Sequence, residues 1–179
     1  MNSAPPTTKT PSVALRPVDE GDEQFLFQVY ASTRAEELAQ VGWSDSQKQS
    51  FLEMQFRAQS RYYESEYPGA EFRIILVGGQ PAGRLYVHRR ENEIRVMDIA
   101  LLPPHRRQGT GTRLLNEILD EGARTSRRVT IHVEIFNPAL RLYERLGFHQ
   151  VGSNGVYHLL EWTPARSRLA AQTVPSQNQ

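Results

Sequence analysis

Residues 93–125, EIRVMDIALLPPHRRQGTGTRLLNEILDEGART, constrain the fold more than any other stretch of the chain. An apolar strand runs into Pro103 and Pro104, and a helical pattern resumes at Thr110. Leu114, Leu115, Ile118 and Leu119 form one face of that helix, and Arg113, Asn116, Glu117, Asp120 and Arg124 the other. A plain strand-to-helix turn needs a cap and at most a single glycine. This one carries Arg106, Arg107, Gly109 and Gly111. Helix N-termini expose unpaired N–H groups and a partial positive charge. Glycine lets a ligand approach the backbone, and arginine is a strong phosphate donor. The junction therefore reads as an anion site.

Two phosphate-binding motifs do not fit it. A P-loop requires Gly-x-x-x-x-Gly-Lys-Ser/Thr, which the chain lacks. A dinucleotide fingerprint wants Gly or Ala three residues past the second glycine, where Leu114 stands, and no parallel βαβ series follows.

The flanking sequence reads as a mixed α/β domain over 12–163. SVALRPV suits a first strand, and Asp19 or Asp22 caps a helix expected to end near Ala31, with Phe25, Leu26 and Val29 inward. A second helix is expected from Ser44 or Asp45 to Glu66. Strands at 72–77, 82–88 and 93–101, separated by GGQPAG and RRENE, form an antiparallel meander. RVTIHVEIF is a further strand, with Val129, Ile131, Val133 and Ile135 on one face and Thr130, His132 and Glu134 on the other. Asn137 then caps a short helix with Pro138 at its first position, Gly147 ends that helix, and SNG turns a closing hairpin. Residues 1–11 and 164–179 are expected to be tails.

RRQGTG matches Arg/Gln-x-x-Gly-x-Gly/Ala, and DIALLPPHRRQGTGTRLL followed by HVEIFNPALRLYERLGF resembles the GCN5-related N-acetyltransferase family. The resemblance implies a mostly antiparallel sheet splayed between its fourth and fifth strands, with helices on both faces and acetyl-CoA in the cleft. It implies that the loop and helix start, Arg106, Arg107, Gln108, Gly109, Thr110, Gly111 and Thr112, hold the pyrophosphate. The backbone of Ile99 and Leu101 would pair with the pantetheine arm, and one amide of that strand would polarise the thioester carbonyl. Tyr143 takes the position of the tyrosine that protonates the departing thiolate, while also fitting an apolar stripe with Ala139, Leu142 and Leu146. NPA is one residue shorter than the family's usual spacing before Tyr143, so Asn137 is either a cofactor contact or a cap.

His132, Glu134 and Asp98 are candidates for the base that deprotonates the amine, with ordered water as the alternative. Substrate contacts are expected from YASTRAEELAQVGWSDSQ, with Tyr30, Arg34, Glu36 and Trp43 as candidates. The implied activity is acetyl transfer from acetyl-CoA to a primary amine of a small molecule or peptide. A CoA-binding module without transfer, and an acyltransferase for a larger thioester, are the alternatives.

Composition narrows the partners. Lys+Arg 21 against Asp+Glu 20 gives no bulk attraction to nucleic acid or an acidic membrane. The absence of cysteine excludes a thiolate nucleophile or thiolate metal site, and no metal is expected. The N-terminus carries no apolar leader and no apolar run is long enough to span a bilayer, so a cytoplasmic monomer or homodimer is expected.

Overall fold

The computed structural model describes residues 11–164. The expected tails, apart from Pro11 and Pro164, lie outside the described residues. A seven-stranded sheet runs in the order β1 (Val13–Pro17), β2 (Glu71–Val77), β3 (Gln80–Arg89), β4 (Glu93–Leu101), β5 (Arg128–Glu134), β7 (Tyr157–Trp162), β6 (His149–Ser153). Every neighbouring pair is antiparallel except β4 and β5. Those two are parallel and register over only four pairs, Glu93 with Arg128 through Val96 with Ile131. Beyond that point β5 continues on β7 to Glu134, and the second half of β4 has no partner on that side. The sheet therefore splits into a V. At its closed end the Thr130 hydroxyl donates to the buried Glu93 carboxylate across the strands at 2.5 Å.

Helices α1 (Glu23–Ala39) and α2 (Asp45–Glu66) cover one face, and α3 (Thr110–Thr125) and α4 (Leu140–Arg145) the other. Two apolar cores result. Leu26, Leu52, Phe56, Ile74 and Tyr86 pack under α1 and α2. Ile94, Val96, Leu115, Ile118, Val129 and Ile131 pack under α3. Gly122 brings α3 close to the sheet, since a Cβ there would stand 2.9 Å from Arg127 O and 3.0 Å from a Val129 methyl. Among the described residues no helix is long and apolar enough to cross a membrane.

Three expectations need correction. α1 runs eight residues past Ala31 because Ser32 and Thr33 do not break it. Their hydroxyls donate to the carbonyls of Val29 and Tyr30 at 2.7 Å, which satisfies them inside the helix. β5 ends at Glu134, so Ile135 and Phe136 belong to the following turn and Phe136 is 91% exposed. Regular helix in α4 begins at Leu140, with Pro138 and Ala139 in the turn that leads into it. Gly147, at φ +88°, does close α4, with Gly147 N–H on Glu144 O and Phe148 N–H on Tyr143 O.

Candidate active site

The open half of the V leads into a cavity of about 600 Å³. Its walls come from both faces of the sheet, because β4 and β5 part there, and a bulge in β4 changes that strand's parity. Tyr86 registers with Asp98 and Val87 with Val96, which leaves Met97 as the extra residue. Val96 and Ile99 therefore both face the α3 core, while Met97 and Asp98 fall together on the α1–α2 face. On β5, Val129, Ile131 and Val133 join the α3 core, so alternation puts Thr130, His132 and Glu134 on the opposite face. Tyr143 belongs to the α3–α4 core. It lines the same cavity as His132 and Asp98.

At the wide end of the V lies the glycine loop. Arg107 and Gly109 take left-handed backbone at φ +58° and +83°, with Gln108 between them. Alternation of this kind turns successive N–H groups toward one concavity. Among the described residues no acceptor pairs with the amides of Arg107 through Thr112; the first amide that finds one is Arg113 N–H, on Gly109 O at 2.9 Å. A Cβ placed on Gly111 would meet nothing within 4 Å. Packing within the protein does not require glycine there, and glycine costs helix stability. The open space would admit an anion close to these amides.

The loop's arginines divide. Arg106 is committed inside the protein: Nε donates to Leu101 O at 2.7 Å, Nη2 to Ser32 O and Oγ at 3.1 and 3.0 Å, and its amide to Pro103 O at 3.2 Å. It ties the loop to α1, and Nη1 is the one guanidinium nitrogen without a hydrogen bond among the described residues. The Arg107 side chain is exposed. Gln108 braces the loop through Nε2 to Pro104 O at 2.6 Å.

The unpaired edge of β4 has a defined sense. Leu102 N–H donates to Ala82 O, so alternation turns the N–H and C=O of Ile99 and Leu101 away from β3 and toward the open side. Arg106 occupies the Leu101 carbonyl. The Leu101 amide and both polar groups of Ile99 remain available to an extended amide-bearing arm.

Three candidates for the base are in different states. Asp98 accepts from Arg84 Nη2 at 2.6 Å, and Arg84, 2% exposed, also donates to Gln59 at 2.9 Å and stacks near the Tyr30 and Tyr86 rings. Glu134 accepts from Arg34 at 2.7 Å. His132 has no hydrogen bond among the described residues. Burial, and secondarily Arg95, push its pKa below the usual imidazole value, against a smaller opposing pull from Glu93. It is the candidate that forms no ion pair, and its lowered pKa favours the neutral imidazole at neutral pH.

Tyr143 is 4% exposed, its ring edge-on to Phe148 at 5.7 Å. Burial, reinforced by Asp98, pushes the phenol far above its ordinary pKa, so it is protonated throughout the neutral range. Asn137 lines the cavity and its Oδ1 accepts from Ala139 N–H at 2.8 Å, an Asx turn that precedes α4; the N-cap position expected for Asn137 falls instead on Ala139, which makes no side-chain cap bond.

Of the substrate candidates, Tyr30 and Arg34 reach the cavity from α1. Glu36 is exposed elsewhere on that helix, and the Trp43 ring packs on Phe51 at 5.3 Å, outside the cavity wall. Sequence reading passed over Arg84, Gln59, Arg95 and the tyrosines of α2. Six of the chain's seven tyrosines, all but Tyr86, line the cavity. Arg84 lies between apolar residues of β3 and opposite the isolated Asp98 of β4. Two such charges on adjacent predicted strands were the signal that could have found the pair.

Residues 33–148 match the sequence family described as "Acetyltransferase (GNAT) family". The fold is similar to that of the PaiA N-acetyltransferase from Thermoplasma acidophilum in complex with coenzyme A, with a TM-score of 0.65 at 15% identity over 85% of this chain and 99% of that one. The ribosomal-protein-S18-alanine N-acetyltransferase from Escherichia coli gives 0.58 at 16% identity, over 94% and 99%. An acetyltransferase from Elizabethkingia anophelis with acetyl-CoA bound gives 0.53 at 15%, over 84% and 97%. No curated protein matches the chain in sequence.

Proposed function

The chain belongs to the GNAT acetyltransferase family, and from that premise we propose that it moves an acetyl group from acetyl-CoA directly to a primary amine of a small molecule or peptide. The observation that carries the proposal is the run of unpaired amides from Arg107 to Thr112, with open space above Gly111, at the mouth of the split between β4 and β5. Similar folds have been solved with coenzyme A and with acetyl-CoA.

Bound acetyl-CoA supplies the acetyl group already activated as a thioester, so no residue of the chain need be acylated. The loop amides donate to the diphosphate, and the open edge of β4 at Ile99 and Leu101 orients the arm. His132 takes a proton from the acceptor amine, directly or through water. Tyr143 Oη holds a proton at neutral pH and delivers it to the leaving thiolate. Asp98 and Glu134, each held by an arginine, shape the pocket around the amine.

Isothermal titration tests the reading. Acetyl-CoA is expected to bind the wild type saturably and to fail with Gly111→Trp, and acceptor amines should then release CoA. A wild type without saturable binding would refute the assignment.

A further inference from the structure

The cavity holds one cation more than it holds anions to match. Arg34 is paired with Glu134 and Arg84 with Asp98, and no other carboxylate lines the wall. Arg95 lines it too and forms no ion pair among the described residues. Its Nε is buried and meets no acceptor there. Glu93, two residues back on the same face of β4, is occupied by Thr130 and Arg90. Arg95 registers with Thr130, one rung before β4 and β5 part. Its guanidinium therefore stands at the closed end of the V, on the His132 side of the sheet. Tyr62 and Tyr67 also line this cavity from the α2 side.

Resting on the acetyl-transfer reading, we propose that the acceptor carries a carboxylate besides its amine, and that Arg95 binds it. A buried guanidinium N–H without an acceptor is costly, and a carboxylate matches its fork. The surplus is a single unit of charge, which a monoanion balances and a phosphate dianion would overshoot. The carboxylate belongs either to a free amino acid or to an acidic residue of a peptide.

Matched acceptor pairs test this: alanine against alaninamide, and the peptide amides Ala-Glu-Ala against Ala-Gln-Ala. CoA release gives kcat/KM, and NMR titration into the CoA-bound protein gives Kd. The wild type should favour the acid of at least one pair by about tenfold or more, as a charge-assisted pair implies. Which pair responds identifies the source of the carboxylate. Arg95→Gln should level that preference and Arg95→Lys keep part of it, with unchanged acetyl-CoA affinity reporting intact folding. Equal use of acid and amide, or a preference that survives Arg95→Gln, overturns the proposal while transfer itself stands. Binding of the acid that depends on Arg95, with no acetylation of any acceptor, leaves this proposal standing and overturns the transferase reading. Neither transfer nor such binding overturns both.

Discussion

Arg34 and Glu134, one hundred positions apart in sequence, meet at 2.7 Å across the mouth of the cavity. Two residues earlier on the same helix, Ser32 receives the Arg106 guanidinium from the other lip. One turn of α1 thus holds the loop after β4 and the end of β5 at a fixed separation. The Arg34–Glu134 pair is partly exposed, so Arg34→Ala should cost about 1 kcal/mol of stability or less. Its larger effect should fall on kcat/KM for the acceptor, because Glu134 and the β5 end lose their tether. Thermal melting beside steady-state kinetics separates the two; an unchanged kcat/KM would show that the tether is idle in catalysis.

Two glycine substitutions should act in opposite directions. A methyl on Gly111 meets open space and improves helix propensity, so Gly111→Ala should stabilise the ligand-free protein by up to about 1 kcal/mol. The same methyl occupies the room above the loop amides, and acetyl-CoA affinity should fall several-fold by calorimetry.

Gly83→Ala should do the reverse of stabilising. Gly83 pairs with Leu101, and a Cβ on it would stand 2.2 Å from Ala100 O, a backbone atom that cannot rotate away. Forcing β3 from β4 should cost about 1–3 kcal/mol in a denaturant titration.

Tyr143→Phe keeps the ring on Phe148 and removes only the hydroxyl group, with the proton it carries. The melting temperature and acetyl-CoA affinity should hold, while kcat falls roughly a hundredfold, the scale of a lost general acid. Wild-type turnover in this variant would take Tyr143 out of the chemistry.

The pH dependence follows from His132. Its folded pKa lies below the ordinary imidazole value, first through burial and then through Arg95. A base works only when unprotonated, so activity should persist below that ordinary value and be lost as pH falls through the lowered one. Arg95→Gln removes one of the two depressing influences and should move the acid limb of kcat/KM to higher pH. His132→Gln should abolish the limb; a limb unchanged in that variant would assign it to another group.

Sequence alone carried the spine of the fold and left its cross-ties hidden. The bounds of β4 and α3 match the expected ones because Pro103 and Pro104 punctuate the strand and the Leu114, Leu115, Ile118, Leu119 stripe has helical period. The sequence places the end of α1 near Ala31, just before Ser32 and Thr33, residue types that compete with the helix backbone for hydrogen bonds. Their bonds back to Val29 and Tyr30, and the contact of Ser32 with Arg106, are tertiary facts. Asp98 stood out in sequence as a charge in an apolar run, but its partner Arg84 lies on the neighbouring strand. The pairing of Arg34 with Glu134, and so the fact that neither is free, depends on a closure that no local pattern records.

The shallow joint between β4 and β5 bears on how such a protein changes over generations. Four rungs join the two leaves of the sheet, and side chains on one turn of α1 reach both, Arg34 to the end of β5 and Ser32 to the loop after β4. The α3 core spans the same joint, with Ile94 and Val96 of β4 in one cluster with Val129 and Ile131 of β5, and substitution there is costly. Under the proposed reaction, a lineage that exchanges polar residues on that turn alters the acceptor side through Glu134 and the donor loop through Arg106 at once.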